Sequence, residues 1–280
     1  MNIAVTGGSG RLGQFVVKQL VAGGHQVLSL DRVVPTAAQQ SQIDGETVKF
    51  ADVDLNNLTA LTETIKGCDA IIHLAAFPGP WGQPPGVVYA NNTLISYNVL
   101  YASSSLGMRY VCLASSINAV GGLGSKRGHF DYFPVDEKHP SYSEDDYSLS
   151  KWVLEQQADS FANRFPEMTI SSLRFHALVP APPELQHKLE TAESGAARGL
   201  WGWTLIDEGA RACVLALQAQ FRGHEVFFIT APRTTSAIPT LELAAHAYPE
   251  VPIRSELPGT KSFYDASQAA RLLGWTHPNV

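Results

Sequence analysis

The stretch that most narrows what this chain can fold into is its beginning, NIAVTGGSGRLG at 2–13. An apolar, strand-like run passes into a glycine-rich turn. An amphipathic segment follows at Arg11–Ala22, with Leu12, Phe15, Val16 and Leu20 on one face. A strand that turns on glycine into a helix opens a βαβ unit. In it Gly7 permits the tight turn, Gly10 lets the backbone approach a pyrophosphate, and Gly13 allows close packing of helix on sheet. The helix start at Arg11 and Leu12 presents unpaired N–H groups and the positive end of the helix dipole to phosphate. Asp31 closes the next strand-like run, HQVLSLD, 18 residues after Gly13. A carboxylate there accepts both ribose hydroxyls of an adenosine and repels a 2′-phosphate, which favours NAD. Arg32 and Arg11 are candidates to meet a 2′-phosphate and keep NADP open. Asp52 and Val53 end a third run, where Asp52 either hydrogen-bonds an adenine amino group or caps the helix that follows.

The alternation continues along the chain. Helical patterns at 58–65, 91–104 and 146–165 separate the runs VKFADVD, DAIIHLAA, RYVCLASS and TISSLRF. This order predicts a parallel sheet covered on both faces, a Rossmann-type doubly wound α/β fold with a small C-terminal substrate lobe. The chain reads as a single unit over 1–280. Residues 1–178 are mostly dinucleotide-binding core, and 179–280 are mostly lobe, with part returning to the core sheet. Loops rich in Pro and Gly, FPGPWGQPPG at 77–86 and VPAPPE at 179–184, follow strand ends. In an open parallel sheet that is the edge where ligands bind. Trp81, in the first of these loops, either covers the substrate or packs on the fold.

Composition removes several classes of partner. Hydrophobic residues make up 45% of the chain and charged residues 16%, with a net charge of −6. No basic stretch is present to grip phosphate backbones, so no nucleic-acid partner is expected. No apolar run approaches the ~20 residues of a membrane span, so no membrane partner is expected either. Cys68, Cys112 and Cys213 are odd in number and lie within apolar runs, without zinc or disulfide spacing. Reduced core thiols, no metal and a cytoplasmic setting follow as expectations. Because the strand-like NIAVTG comes first, no signal peptide is expected.

The segment YSLSK places Tyr147 and Lys151 four apart, on one face of a helix. An ammonium near a phenol favours the phenolate and lowers the tyrosine pKa toward the working range. Together these residues resemble the extended short-chain dehydrogenases/reductases, also called the NAD-dependent epimerase/dehydratase family, over nearly the whole chain. The resemblance rests on TGGSGRLG, Asp31, ADVD, HLAA (73–76), NNTLISYNVL (91–100), ASS (114–116), YSLSK, SLRF (172–175), LIDEGARA (205–212) and ARLLGW (270–275). It implies that Tyr147 is the general acid/base and that Lys151 binds the nicotinamide ribose and tunes Tyr147. Asn92 would hold the central helix and its water, Leu74, Ala75 and Ala76 would line the cofactor by backbone, and Phe175 would flank the nicotinamide. The resemblance further implies a homodimer through the helical stretches 91–104 and 146–165.

The chain also departs from that family. Where the sugar-nucleotide epimerases carry an asparagine that grips a diphosphate, LRFHALVPAPP has Ala177, and an apolar methyl is no substitute for an amide there. The segment from Pro180 to Trp203 is short. SSINAV carries no carboxylate of the kind a dehydratase uses. The brevity is similar to the uronate (free sugar) dehydrogenases of the family. The expected activity is therefore NAD(P)-dependent oxidation or reduction of a small sugar, sugar acid or related alcohol. A nucleotide-sugar epimerase with retained NAD, and a non-catalytic dinucleotide sensor, are the alternatives. Arg174 is a candidate for a substrate carboxylate or for a structural ion pair, and His176 for a substrate contact or a satisfied structural side chain.

The run LASSINAVGG leaves one question of register. The family's catalytic hydroxyl is the last of a short Ser/Thr run at this strand's end. Counting from Arg109 places Ser116 there, whereas overlaying the Ala-Ser-Ser text places Ile117. Isoleucine cannot hydrogen-bond a substrate oxygen, which selects Ser116. Ser115 is then expected to support it or the cofactor, and Asn118 to make a second substrate contact.

Overall fold

The computed structural model describes residues 1–32 and 47–278; most of the loop expected between HQVLSLD and VKFADVD lies outside them. Seven strands form one parallel sheet. They are β1 (Asn2–Thr6), β2 (Gln26–Leu30), β3 (Val48–Ala51), β4 (Ala70–His73), β5 (Tyr110–Ser116), β6 (Thr169–Phe175) and, after the lobe segment, β9 (Gly223–Ile229). Their order is β3-β2-β1-β4-β5-β6-β9. The chain winds outward from β1 in one direction and from β4 in the other, so a crevice opens at the C-terminal ends of β1 and β4. A two-stranded parallel ribbon, β7 (Leu178–Val179) with β8 (Thr204–Leu205), stands beyond β6.

Strand pleating sorts the core into two layers. Ile3, Val5, Ile72, Cys112, Leu173 and Phe227 face the helices α1 (Arg11–Ala22), α6 (Ile206–Ala216) and α8 (Ser267–Leu273). Their sequence neighbours Ala4, Ile71, Val111 and Leu113 face the opposite layer, α2 (Leu58–Thr64), α3 (Val87–Ser105) and α4 (Asp146–Arg164). Neither long helix, α3 nor α4, is strongly amphipathic, because each meets both the sheet and its neighbouring helix. The short helix α5 (Gly195–Arg198) and α7 (Thr240–Ala247) belong to a third cluster with Phe133, Leu200, Trp201, Tyr248 and Phe263. Leu200 and Trp201 adopt left-handed backbone at φ 51° and 50° and are buried there. Among the described residues no helix is long and apolar enough to cross a membrane, and no group of three His, Cys, Asp or Glu is placed to hold a metal.

Candidate active site

The crevice at β1 and β4 is built from backbone. Gly7 turns at φ +70°, and a Cβ on it would stand 2.8 Å from the Ala75 nitrogen. A Cβ on Gly13 would stand 2.7 Å from the Gly8 Cα, so α1 starts where only glycine lets it. Thr6 ties the two strand ends together. Its hydroxyl accepts from the N–H groups of Leu74 (3.2 Å) and Ala75 (3.3 Å) and so donates its own proton to His73 Nδ1, 2.7 Å away. His73 is held neutral, its pKa lowered to about 3 by burial and secondarily by the Lys151 charge.

Gly7, Gly10, Asp31 and Arg32 line one side of the cleft, Val53 another, and Leu74, Ala75 and Ala76 a third. The Asp31 carboxylate also accepts from the Ser9 N–H at 3.2 Å. A side-chain-free cradle at the helix start, a carboxylate at the end of β2 and an apolar floor fit an adenine dinucleotide such as NAD. Three of the expected residues are not among those that line the cleft. Asp52 is exposed and outside the cleft, because the pleat that buries Val53 turns its neighbour outward. Arg11 is exposed and also outside, and Leu12 points into the core beneath. Asp54, Leu55 and Asn56 line the cleft instead, together with Phe77, Asn91 and Ile95. The first three directly follow Val53, and continuing the third strand's C-terminal edge by three residues would have found them. Nothing in the local spacing marks Asn91, Ile95, Thr6 or His73.

Asn92 clamps the loop after β4 onto the long helices. Its Oδ1 accepts from Phe77 N–H (2.9 Å), and its Nδ2 donates to the Phe77 carbonyl (3.1 Å) and to Ser150 Oγ on α4 (3.2 Å).

Helix α4 begins at an Asp145 cap that accepts from the N–H groups of Tyr147 (2.9 Å) and Ser148 (3.0 Å) and from the Ser148 hydroxyl. This anchors Tyr147 in the first turn, against the end of β5. The Ser116 side chain stands beside the Tyr147 phenol, and Ser116 Oγ accepts from Asn118 N–H at 3.1 Å. Ile117 is buried in the lobe cluster. Lys151 Nζ donates to the Ala114 carbonyl at 2.7 Å and lies 5.6 Å from the Tyr147 ring centre. The expected lowering of the tyrosine pKa is reversed in this state. Burial pushes the phenol up to about 12, with the Ser116 hydroxyl opposing and the Asp145 charge adding. Burial also lowers Lys151 to about 8, against the Glu155 charge. Desolvation outweighs what opposes it on each group, the Ser116 hydroxyl at Tyr147 and the Glu155 charge at Lys151.

Several expected ligand contacts are engaged elsewhere. Ser115 is of opposite pleat parity to Ser116, and its hydroxyl donates to Glu155 Oε1 on α4 at 2.6 Å, away from the cofactor cleft. Arg174 shares that face. It binds Glu155 through Nε (2.9 Å) and Nη2 (2.8 Å), so the structural ion pair is the alternative the fold adopts. His176 has both ring nitrogens occupied: Nδ1 accepts from Ala177 N–H (2.6 Å), so Nε2 donates to the Gly199 carbonyl (2.8 Å). Trp81 is 80% exposed, neither closing the site nor packing in the core. Phe175 is buried beside Leu12 and Gly209. Asn118 presents a different picture, with a buried Oδ1 that has no partner.

The profile of the NAD dependent epimerase/dehydratase family matches residues 3–229. The dTDP-6-deoxy-L-talose 4-dehydrogenase (NAD(+)) of Aggregatibacter actinomycetemcomitans is 26% identical over 178 residues, 63% of this chain and 61% of that protein. A putative UDP-glucose 4-epimerase of Methanocaldococcus jannaschii is 30% identical over 177 residues, 62% of this chain and 54% of that protein. The match thus spans less than two thirds of the length of these relatives. Among solved structures, a mutated uronate dehydrogenase superposes with a TM-score of 0.71 at 21% identity, over 99% of this chain and 82% of the other. A UDP-glucose-4-epimerase of Stenotrophomonas maltophila, with bound NAD and formylated UDP-arabinopyranose, gives 0.75 at 23% identity, over 100% and 94%. At these identities the superpositions establish the shared fold.

Proposed function

The chain belongs to the NAD-dependent epimerase/dehydratase family, and from that premise we propose that it is an NAD-dependent oxidoreductase of a small polyhydroxy substrate: a free sugar, a sugar acid or a related alcohol. The observation that carries this reading is the placement of Ser116 beside Tyr147 at the C-terminal end of β5, with Lys151 behind them and the glycine cradle across β4 at the end of β1. NAD, when bound, supplies the acceptor for the hydride that leaves the alcohol carbon. This chain's residues handle the proton and the orientation. Ser116 hydrogen-bonds the substrate oxygen, and Tyr147 takes the alcohol proton or returns it to a carbonyl. Since burial favours the neutral phenol, the Lys151 ammonium has to offset that burial for Tyr147 to act as a base. The orphan acceptor of Asn118, two residues beyond Ser116, suits a second substrate hydroxyl.

A free rather than nucleotide-linked substrate is supported by Ala177, which offers no amide to a diphosphate, and by His176, whose two nitrogens are already bonded. The test is absorbance at the NADH band with NAD or NADP against free sugars, sugar acids, polyols and UDP-sugars. NADH release with a free sugar or sugar acid is the expected result. Interconversion of UDP-sugars with retained NAD would establish an epimerase in its place.

The same reading includes a cytoplasmic homodimer. Leu94, Tyr97 and Tyr101 on α3, with Leu149 and Trp152 on α4, are exposed large apolar side chains. Pairing these helices with their copies about a two-fold axis would cover them. Sedimentation at the mass of a dimer is expected, and a monomer at all concentrations would exclude the pairing.

A further inference from the structure

Three consecutive residues at the end of β5 are tied to three different residues of α4. The Ala114 carbonyl accepts from Lys151, the Ser115 hydroxyl donates to Glu155, and Ser116 meets Tyr147. Tyr147, Lys151 and Glu155 follow at intervals of four, so one face of the helix carries all of them. Glu155 is 2% exposed; Arg174 on β6 holds it through two hydrogen bonds, and its charge acts on Lys151, one turn back on its own helix. None of Ser115, Glu155 and Arg174 lines the cleft.

Resting on the reading of Tyr147 and Lys151 as the reacting pair, we propose that Glu155, seated by Ser115 and Arg174, is a positioning residue for the reaction: it docks the reacting face of α4 on β5 and keeps a negative charge behind Lys151 so that the lysine remains an ammonium. A buried ammonium without a nearby anion loses its proton readily. Around Lys151, burial lowers the pKa to about 8 and Glu155 alone opposes it. The other groups facing this cluster do not substitute for Glu155. Tyr147 stays neutral, His73 on β4 is neutral, Ser115 is uncharged, and Arg174 is a cation. Glu137 lies beyond Arg174, its carboxyl pushed up to about 7 by burial.

The test compares the full chain with Glu155→Gln, with Glu155→Gln/Arg174→Met, and with Ser115→Ala. The double variant removes both members of the ion pair, so the fold is not left with an unpaired buried arginine. Lysine ionisation is read by NMR of chain labelled at lysine Cε, with the Lys151 resonance identified by its loss in Lys151→Met. Turnover is read in parallel with NAD and D-glucuronate as the probe. In Glu155→Gln the Lys151 midpoint is expected to fall by about one pH unit, and to fall in the double variant also. The alkaline limb of turnover should move with it, with kcat down about tenfold and the KM for NAD within about twofold. Ser115→Ala should lower kcat a few-fold without moving the midpoint. A Lys151 midpoint unchanged in both Glu155 variants, while both remain folded by circular dichroism, would reduce Glu155 to the partner of Arg174 and overturn the proposal. A midpoint that moves in a chain inactive on every sugar tested would overturn the oxidoreductase reading and leave the positioning of Lys151 standing.

Discussion

The nucleotide end and the chemical end of this molecule are built by opposite means. Around β1 and β4 the site consists of absences: glycines whose missing side chains let Gly7 lie against Ala75 and α1 lie against the turn. At the end of β5 it consists of side chains, and each is placed by a segment far away in the chain. Ser116 meets Tyr147 from α4, and Ser115 meets Glu155, which is held in turn by Arg174 from β6. Backbone cradles tolerate few substitutions but need few partners. Side-chain sites tolerate more, and depend on which way each residue of a strand points.

The largest expected effect tests the chemical end. Tyr147→Phe should lower turnover by about a thousandfold while NADH binding, followed by its fluorescence, stays within a few-fold. Unchanged turnover would remove Tyr147 from the reaction. Ser116→Ala is expected to lose about a hundredfold, far more than Ser115→Ala. The reverse ranking would show that the hydroxyl beside Tyr147 is not the one that works. The cradle is probed by Gly13→Ala, whose methyl has no space above Gly8; a loss of about 1–3 kcal/mol in denaturant unfolding is expected, with weaker NADH binding. Full stability and full binding in that variant would mean the turn yields, contrary to the contrast between the two ends.

A pH experiment separates the ends more finely. His73 joins them, bonded to Thr6 at one side and near the Lys151 charge at the other. Its folded pKa is lowered to about 3 from 6.5, so between these values the unfolded chain binds more protons than the folded one. Its contribution is complete above pH 6.5 and declines as the pH falls, by about 1.4 kcal/mol per unit. Melting temperature measured from pH 7 to 4 should drop, and His73→Gln should flatten the slope; an equal slope in the variant would place the acid sensitivity elsewhere. The smallest effect is expected for Trp81→Ala, within about 0.5 kcal/mol in stability, since the side chain is 80% exposed. A rise in substrate KM there would show that Trp81 folds over bound substrate.

Much of the cradle was readable from local text. Gly7, Gly10, Asp31, Val53 and the backbone of Leu74, Ala75 and Ala76 line the cleft in the structure, because each requirement is met within a few residues of a strand end. Asp52 lies outside that lining for an equally local reason, since the alternation that buries Val53 leaves its neighbour exposed. At the chemical end, Tyr147 and Lys151 were readable because a helix repeats its face every four residues. Ser115, Arg174 and His176 were not, since each has a plausible ligand-facing role until its partner is known. Glu155 drew no notice at all: a lone acidic residue in a helix gives no sign that a buried arginine from another strand will close on it.

The order of apolar runs, glycines and helix faces was enough to decide a doubly wound parallel sheet, the strand end that carries the cradle, and the pairing of Tyr147 with Lys151. These follow from steric and periodic rules that act over a handful of residues. Packing alone decided that Ser115 turns to Glu155, that Arg174 answers the same carboxylate, and that burial lifts Tyr147 to about 12. Those outcomes depend on which surfaces are removed from water together, and the segments involved meet only when α4 closes over β5 and β6.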